Sequence, residues 1–212
     1  MNEFSKQINM TLSKLPIQTE CVNNVTDFVY EKNGLHLTAR LYDGCDVSRV
    51  PVHGNYVFST FTSYFLVYPV WNKTDSKINY FIDTLGSNKT SDRVSVFYNE
   101  NRQLIGKFYS DNGVTYEVPI DVSDWNPYEW ALIMYGSNPK QVSLVYLNIP
   151  NWKLKMNFVN VTDYNLEISN ASAYIGSDAE GKNQAYAVIA NVPDEWIGSN
   201  NLPTCVGIQN LA

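Results

Sequence analysis

The stretch DVSDWNPYEWALIMYG, residues 121–136, holds the end of one strand, a turn and the start of another strand. The Asn-Pro pair at 126–127 predicts a turn over residues 124–128, because proline fixes φ at a value that turns use. The apolar run EWALIMYG that follows is typical of a strand buried on both faces. Trp125 and Trp130 flank the turn, and we expect both to plug the end of a core where two sheets converge.

The sequence from about residue 22 onward has the pattern of antiparallel strands. Residues 35–44, LHLTARLYDG, alternate apolar and polar side chains, and residues 93–123 form three strand-like runs separated by turn signals at 99–101 and 111–113. Strands joined by such short turns favour a sandwich or barrel, because parallel strands require long crossovers. The last of these runs places four side chains on one face, namely Tyr116, Val118, Ile120 and Val122.

The first residues predict a helix ahead of the strands. Apolar residues at spacings of four, four and three form one stripe before Pro16, and they are Phe4, Ile8, Leu12 and Leu15. Such a helix packs either on its own domain or, as an arm, on a neighbouring subunit. We therefore divide the chain of 212 residues into an N-terminal helical arm, 1–20, and a single domain, 21–212.

Four stretches, taken in their order along the chain, resemble motifs of the concanavalin A-like lectin/glucanase superfamily in its laminin-G-like branch. Besides 121–136, they are FTSYFLVYPVW (61–71), SLVYLNI (143–149) and AYIGSDAEGKNQAYAVIANV (173–192). The resemblance covers about residues 55–196 and implies an all-β fold, an antiparallel jelly-roll β-sandwich. Together with the helix predicted from the apolar stripe, the expected fold is a jelly roll with a short N-terminal helix.

The chain also departs from that family's pattern. Ile149 stands where a turn glycine is usual, and family members often carry glycine and an acidic pair at the positions held here by Ala187, Ala190 and Asn191. We therefore do not expect calcium or sugar chemistry that depends on that pair.

Catalysis is not expected from this sequence. Retaining glycoside hydrolysis needs two carboxyl groups about 5–5.5 Å apart, and no pair of acidic residues alternates along a strand-like run. Asp194 and Glu195 are adjacent, so on a strand they would face opposite ways. His36 and His53 lie in the first quarter of the chain, away from a recognisable nucleophile. We predict that the chain is not an enzyme.

The composition restricts the partners. Charged residues make up 17% of the chain, the net charge is −6 and there are 15 tyrosines, so a surface that binds nucleic acid phosphates is not expected. The sequence has no apolar run long enough to span a membrane, and its first residues lack the apolar core of a secretion signal. These features predict a soluble chain that leaves the cell by assembly into a particle.

Cysteine spacing indicates no metal site and no cofactor. Cys21, Cys45 and Cys205 have no metal-ligand spacing, and two histidines do not supply a second cluster. One disulfide, with three allowed pairings, and three buried thiols are both consistent with the sequence.

Two tryptophans are candidates for binding a carbohydrate or a protein partner, Trp71 and Trp152. They lie in VWNKTDS (70–76) and IPNWKLKMN (149–157), which have the composition of loops. For the remaining tryptophans, Trp125, Trp130 and Trp196, we expect structural packing.

Six Asn-x-Ser/Thr sequons are candidates for glycosylation, and we favour the two that precede Lys-Thr in hydrophilic sequence, Asn72 and Asn88. An asparagine-rich surface with accidental sequons is the alternative. The other four sequons are at Asn9, Asn24, Asn160 and Asn170.

Two functions fit these features. The first is a structural or attachment subunit of an extracellular assembly, namely a capsid, tail or nozzle protein of a virion, in contact with further copies, other subunits or host glycans. A virus of heat- and acid-loving archaea would suit a charge-poor glycoprotein. The alternative is a free carbohydrate-binding, lectin-like module.

Overall fold

A computed structural model describes residues 1–13, 26–32, 35–51, 55–58, 60–71, 77–85, 93–169 and 172–192. One helix, α1 (Asn2–Leu12), precedes the strands. In chain order the strands are β1 (Thr26–Lys32), β2 (Leu35–Asp43), β3 (Ser48–Pro51), β4 (Asn55–Phe58), β5 (Phe61–Pro69), β6 (Asn79–Leu85), β7 (Arg93–Tyr98), β8 (Gln103–Tyr109), β9 (Thr115–Asp121), β10 (Ala131–Asn138), β11 (Gln141–Asn148), β12 (Lys153–Asn160), β13 (Leu166–Ser169), β14 (Ser172–Ile175) and β15 (Tyr186–Ala190).

The strands form an antiparallel sandwich. The larger sheet has the order β1-β2-β15-β5-β10-β11-β12, the smaller has the order β3-β14-β6-β7-β8-β9, and β4 pairs with β13. All the strand pairs of the two large sheets are antiparallel. This is the jelly-roll class that the sequence predicted.

The turns and strands predicted within residues 93–123 are confirmed. β7, β8 and β9 pair in succession around turns at 99–102 and 110–114. Side chains at alternate positions face the core, since Val118, Ile120 and Val122 are buried and Tyr116 packs against them.

Two separate apolar clusters lie on the two faces of the larger sheet. The inner cluster fills the space between the sheets with side chains such as Phe65, Phe81 and Ile133. The outer cluster lies between the larger sheet and α1, where Phe4 and Ile8 are fully buried. In the described residues α1 therefore packs on its own domain, which is the first of the two alternatives; Leu15, residues 14–25 and the boundary at residue 20 lie outside the described part.

The expectation that β10 is buried on both faces is half right. Ala131, Ile133 and Tyr135 face the inner cluster and are buried, whereas Leu132 and Met134 on the outer face are only half-buried. Helix α1 covers one part of the outer face and leaves the part around β10 partly open.

Candidate functional site

Trp125 and Trp130 lie on opposite faces of the larger sheet, which corrects the expectation that both plug the inter-sheet core. Trp125 packs in that core against Trp71 and Tyr146, with centroid separations of 5.5 and 5.4 Å. Trp130 belongs to the outer cluster, and its Nε1 donates a hydrogen bond to Ser5 Oγ in α1 at 3.1 Å. The turn between the two residues carries the chain across the end of the sheet, so the side chains point to different layers.

Trp71, one of the two binding candidates, lies in the inner cluster and not at the surface. Its side chain is 5% exposed and stacks on Tyr98 and Phe81 at 4.9 and 6.0 Å between ring centroids. The residue follows β5 directly and closes the same end of the core as Trp125. It is a structural aromatic, while Trp196 lies beyond the described residues.

Trp152 is at the surface, with 75% of the residue exposed. It occupies the tight turn between β11 and β12 and has φ of 55°, a left-handed value that is uncommon for a residue other than glycine. Tyr128, 56% exposed and with φ of 63°, lies in the turn before β10 at the same end of the sheet. Two exposed aromatic rings therefore mark this end of the sheet.

The segment 149–157 is not a loop, contrary to its composition. Lys153–Asn160 forms β12, the edge strand of the larger sheet, and pairs with β11 along its whole length. Its outward positions are apolar and exposed, with Leu154 at 63%, Met156 at 66% and Phe158 at 48%. The sequence signal was the period-two spacing of these residues after Trp152, which the intervening lysines and asparagines obscured.

These side chains continue across the neighbouring strands in transverse rows. In one row Met134 on β10 lies opposite Val145 on β11, which lies opposite Met156 on β12. In the next row Leu147 lies between Leu132 and Leu154. We call the surface the outer apolar face and define it as Met134, Val145, Leu147, Trp152, Leu154, Met156 and Phe158.

The inward side of β12 is polar and ties this edge to β9, the edge of the smaller sheet. Lys153 and Lys155 both donate from Nζ to the carboxylate of Asp124. Lys155 also donates to the Asp121 carbonyl at 2.7 Å, and Asn157 Nδ2 donates to the Pro119 carbonyl at 2.7 Å. Burial favours the protonated acid of Asp124, but the two lysines outweigh burial and lower its pKa to about 2.

The outer face of the smaller sheet differs in character. Lys107 on β8 forms an ion pair with Glu117 on β9 at 2.8 Å, and Pro119 interrupts the donors of that edge strand. Charge and proline are features that protect an edge from association. By contrast, β10, β11 and β12, which are described in full, carry no charged side chain at their outward positions.

Two buried carboxylates, those of Asp83 and Asp178, have structural partners. Asp83 receives two hydrogen bonds from Arg93 at 2.8 and 2.5 Å and one from Ser95 Oγ at 2.7 Å. Asp178 accepts from the backbone N–H groups of Glu180 and Lys182 and so shapes the turn after β14. These carboxylates hold strands and turns together, and their oxygens are engaged within the fold.

The positions that distinguish this chain from the laminin-G-like pattern also have structural roles. Ala187 and Ala190 are fully buried in β15. Asn191 Oδ1 accepts a hydrogen bond from the Thr38 backbone N–H at 2.7 Å, which anchors the end of β15 to β2. Ile149 N–H donates to the Trp130 carbonyl at 2.9 Å, and its side chain packs against the outer cluster.

Cys45 is disulfide-bonded, so the alternative of three free thiols is wrong. Its partner is one of the two other cysteines of the sequence, both outside the described residues. Across the described residues there is no group of three or more His, Cys, Asp and Glu side chains that could hold a metal ion.

Two of the six sequons fall on described residues. Asn9 is exposed on α1, although its Oδ1 accepts a hydrogen bond from the Tyr68 hydroxyl at 3.0 Å. Asn160 is exposed at the last outward position of β12, next to the outer apolar face. The remaining four lie outside the described part of the chain: Asn24, Asn72, Asn88 and Asn170.

No helix among the described residues is long and apolar enough to cross a membrane. No protein-family model matches the chain, and no curated protein matches it in sequence. Solved structures nevertheless share its fold.

The enzymatically active domain of tailspike protein 2 from bacteriophage CBA120 superposes with a TM-score of 0.56 at 14% identity, over 84% of this chain and 29% of that one. The LG1-3 region of the laminin alpha2 chain superposes with a TM-score of 0.54 at 12% identity, over 73% of this chain and 30% of that one. The chain thus spans less than a third of either protein. The likeness concerns the fold, which is the concanavalin-like, laminin-G-like sandwich expected from the motifs.

Proposed function

We propose that this protein is a non-catalytic structural or attachment subunit of an extracellular assembly, namely a virion, and that it contacts its neighbours through the outer apolar face. The observation that carries the proposal is the row of Leu154, Met156 and Phe158 on an edge strand, all about half or more exposed. Contiguous exposed apolar surface on a protein marks a contact site, because leaving it in water is unfavourable.

The arrangement of the tryptophans supports a contact surface of this kind. Trp71, Trp125 and Trp130 are buried and stabilise the fold, whereas Trp152 is exposed in the turn that leads into β12. Tryptophan is enriched among the residues that dominate binding energy in protein interfaces. Trp152 is therefore the aromatic residue of this surface that we expect to contribute most to a contact.

The composition supports an acidic, extracellular setting. With charged residues at 17% of the chain, few surface interactions depend on ionised carboxylates, so acid weakens the protein less than a charge-rich one. A similar sandwich occurs in a bacteriophage tailspike protein. We favour a virion of acid- and heat-loving archaea on these grounds.

The proposal is tested by locating the protein in its source culture. Particles are purified from the culture fluid on a density gradient, and an antibody against the purified chain is used to stain the fractions. We expect the chain to comigrate with intact particles and to resist a salt wash, because apolar contacts are not screened by salt. A chain found only in the cell interior, or free in the medium, contradicts the proposal.

A second candidate function is carbohydrate binding by Trp152. Its exposed ring lies close in sequence to several amide side chains, and an exposed aromatic ring beside hydrogen-bonding groups suits the apolar and polar faces of a sugar. A glycan array with the wild type and Trp152→Ala tests it, with Val114→Ala as the control for loss of another exposed apolar residue. Saturable binding by the monomer that only Trp152→Ala removes would favour this candidate over the first.

A further inference from the structure

We infer that the partner across the outer apolar face is a second copy of this chain, packed face to face about a twofold axis. The inference rests on the proposed function and names the partner of the surface described above. Three observations lead to it: the distribution of charge, the size of the face and the position of α1.

The distribution of charge favours contact between the outer apolar face and the same face of a second copy. Two copies that each carry a net charge of −6 repel one another, so they approach most readily where charged groups are absent. Met134, Val145 and Met156 form such a region, and the two lysines of β12 point to the opposite side, where they pair with Asp124. A charged partner would gain no ion pair from this face, whereas an identical face is apolar throughout.

The size of the face is sufficient for a weak dimer. A large aromatic side chain has a surface area of roughly 150–250 Å², and Leu and Met have less. Multiplied by their exposed fractions, Trp152, Leu154, Met156 and Phe158 together expose on the order of 500 Å² per copy. Two copies then bury about 1,000 Å², which is the lower end of the range for specific interfaces. An interface of this size predicts a dimer that dissociates on dilution.

The position of α1 fits face-to-face packing about an axis parallel to β11. Packed sheets lie about 10 Å apart, and a helix is about 10 Å across. Because α1 covers the β1–β2–β15–β5 side of the same face, it occupies the layer in which the partner's sheet would lie. Each α1 then lies beside the partner's β12, and the two open faces overlap without obstruction.

Sedimentation velocity over a range of concentrations tests the inference on the full chain. The test variant is Met156→Glu, and the control is Val114→Glu, because Val114 is also exposed and apolar, at 44% against 66% for Met156, but lies in the turn between β8 and β9 of the smaller sheet. We expect a concentration-dependent dimer for the wild type and for Val114→Glu, and at least about a 100-fold weaker dimer for Met156→Glu because a charge would be buried. Circular dichroism verifies that both variants fold.

A second measurement tests the geometry. A photoreactive benzoylphenylalanine replaces Phe158, and the protein is mixed from copies labelled with ¹⁴N and ¹⁵N. We expect crosslinks between differently labelled copies that map to β10 or α1 of the second copy.

Two results would overturn the inference: a wild type that stays monomeric at all concentrations, and interchain crosslinks that map outside these elements. Failure here is distinguishable from failure of the proposed function. If the chain is monomeric alone but Met156 becomes protected in purified particles, the partner is a different protein and the proposed function stands.

Discussion

Phe4 lies flat against Trp130, with ring centroids 5.6 Å apart and an angle of 14° between the ring planes. This stacking joins the N-terminal helix to the turn that precedes strand β10. It also divides the outer face of the larger sheet into a covered part, beneath α1, and the outer apolar face.

Phe4→Ala should detach α1 from the sheet. The side chain is fully buried, and removing such a phenylalanine costs roughly 3–5 kcal/mol where the protein cannot close the cavity. We expect a lower midpoint in urea and faster proteolysis of residues 1–13. Met10→Ala, at an exposed position of the same helix, is the control and should leave both unchanged; equal effects of the two substitutions would contradict the packing described here.

Gly176→Ala and Gly113→Ala separate backbone strain from steric overlap. Both glycines have φ of 81°, so alanine is strained equally at either position. A Cβ at Gly176 would lie 2.0 Å from the buried Tyr42 ring, whereas a Cβ at Gly113 has no heavy atom within 4 Å. We expect about 1 kcal/mol of destabilisation at 113 and at least about 3 kcal/mol at 176, measured by urea unfolding.

Similar costs at the two positions would show that the turn after β14 does not pack on Tyr42. Folded Gly176→Ala with wild-type stability would contradict the closeness of this turn to the inner cluster.

The local pattern of this sequence predicted most of the fold. Strands β7 to β9 followed from alternation and turn residues, because both are determined within a few positions of the chain. The face of the sheet on which Trp130 lies could not be predicted in the same way, because the turn ahead of it allows the side chain to point to either face. Which face is covered depends on α1, which lies more than a hundred residues earlier in the chain. Trp71 was misjudged for the same reason, because its neighbours Phe81, Tyr98 and Trp125 are distant in sequence.

The candidate site was missed because it departs from the usual pattern. Apolar residues normally alternate toward the core, but on β12 they face outward while Lys153, Lys155 and Asn157 face inward. The composition of residues 149–157 therefore resembled that of a loop. The inward lysines are satisfied by Asp124, a contact between positions about 30 residues apart that the sequence pattern does not reveal.

Asp124 should contribute to stability above its unfolded pKa and lose that contribution in acid. Its pKa falls from the ordinary 3.8 to about 2, so the contribution is complete above about pH 4 and is lost as the pH falls through about 2. The Asp124 side chain is 39% exposed, which limits the effect to about 1 kcal/mol or less. Urea unfolding of wild type and Asp124→Asn should converge at low pH, and a constant difference between them would contradict the pairing with Lys153 and Lys155.

We expect Cys45 to pair with Cys21. β1 begins at Thr26, opposite Leu41 of β2, and Cys21 comes shortly before Thr26 while Cys45 comes shortly after Leu41. Peptide mapping without reduction should recover this link. Cys21→Ser should then lower stability by about 3 kcal/mol for a loop of this length, and the control Cys205→Ser should not. A peptide linking Cys45 to Cys205 would contradict the expectation.

Oxidation of two methionines tests the central claim, that the outer apolar face is the contact surface of the assembly. Met156 and Met10 are similarly exposed in the free chain, at 66% and 61%, so dilute peroxide should oxidise both at similar rates. In the assembled protein the account predicts that Met156 is oxidised much more slowly than in the free chain. Oxidation of Met156 at the same rate in the assembly and in the free chain, read by mass spectrometry, would contradict it.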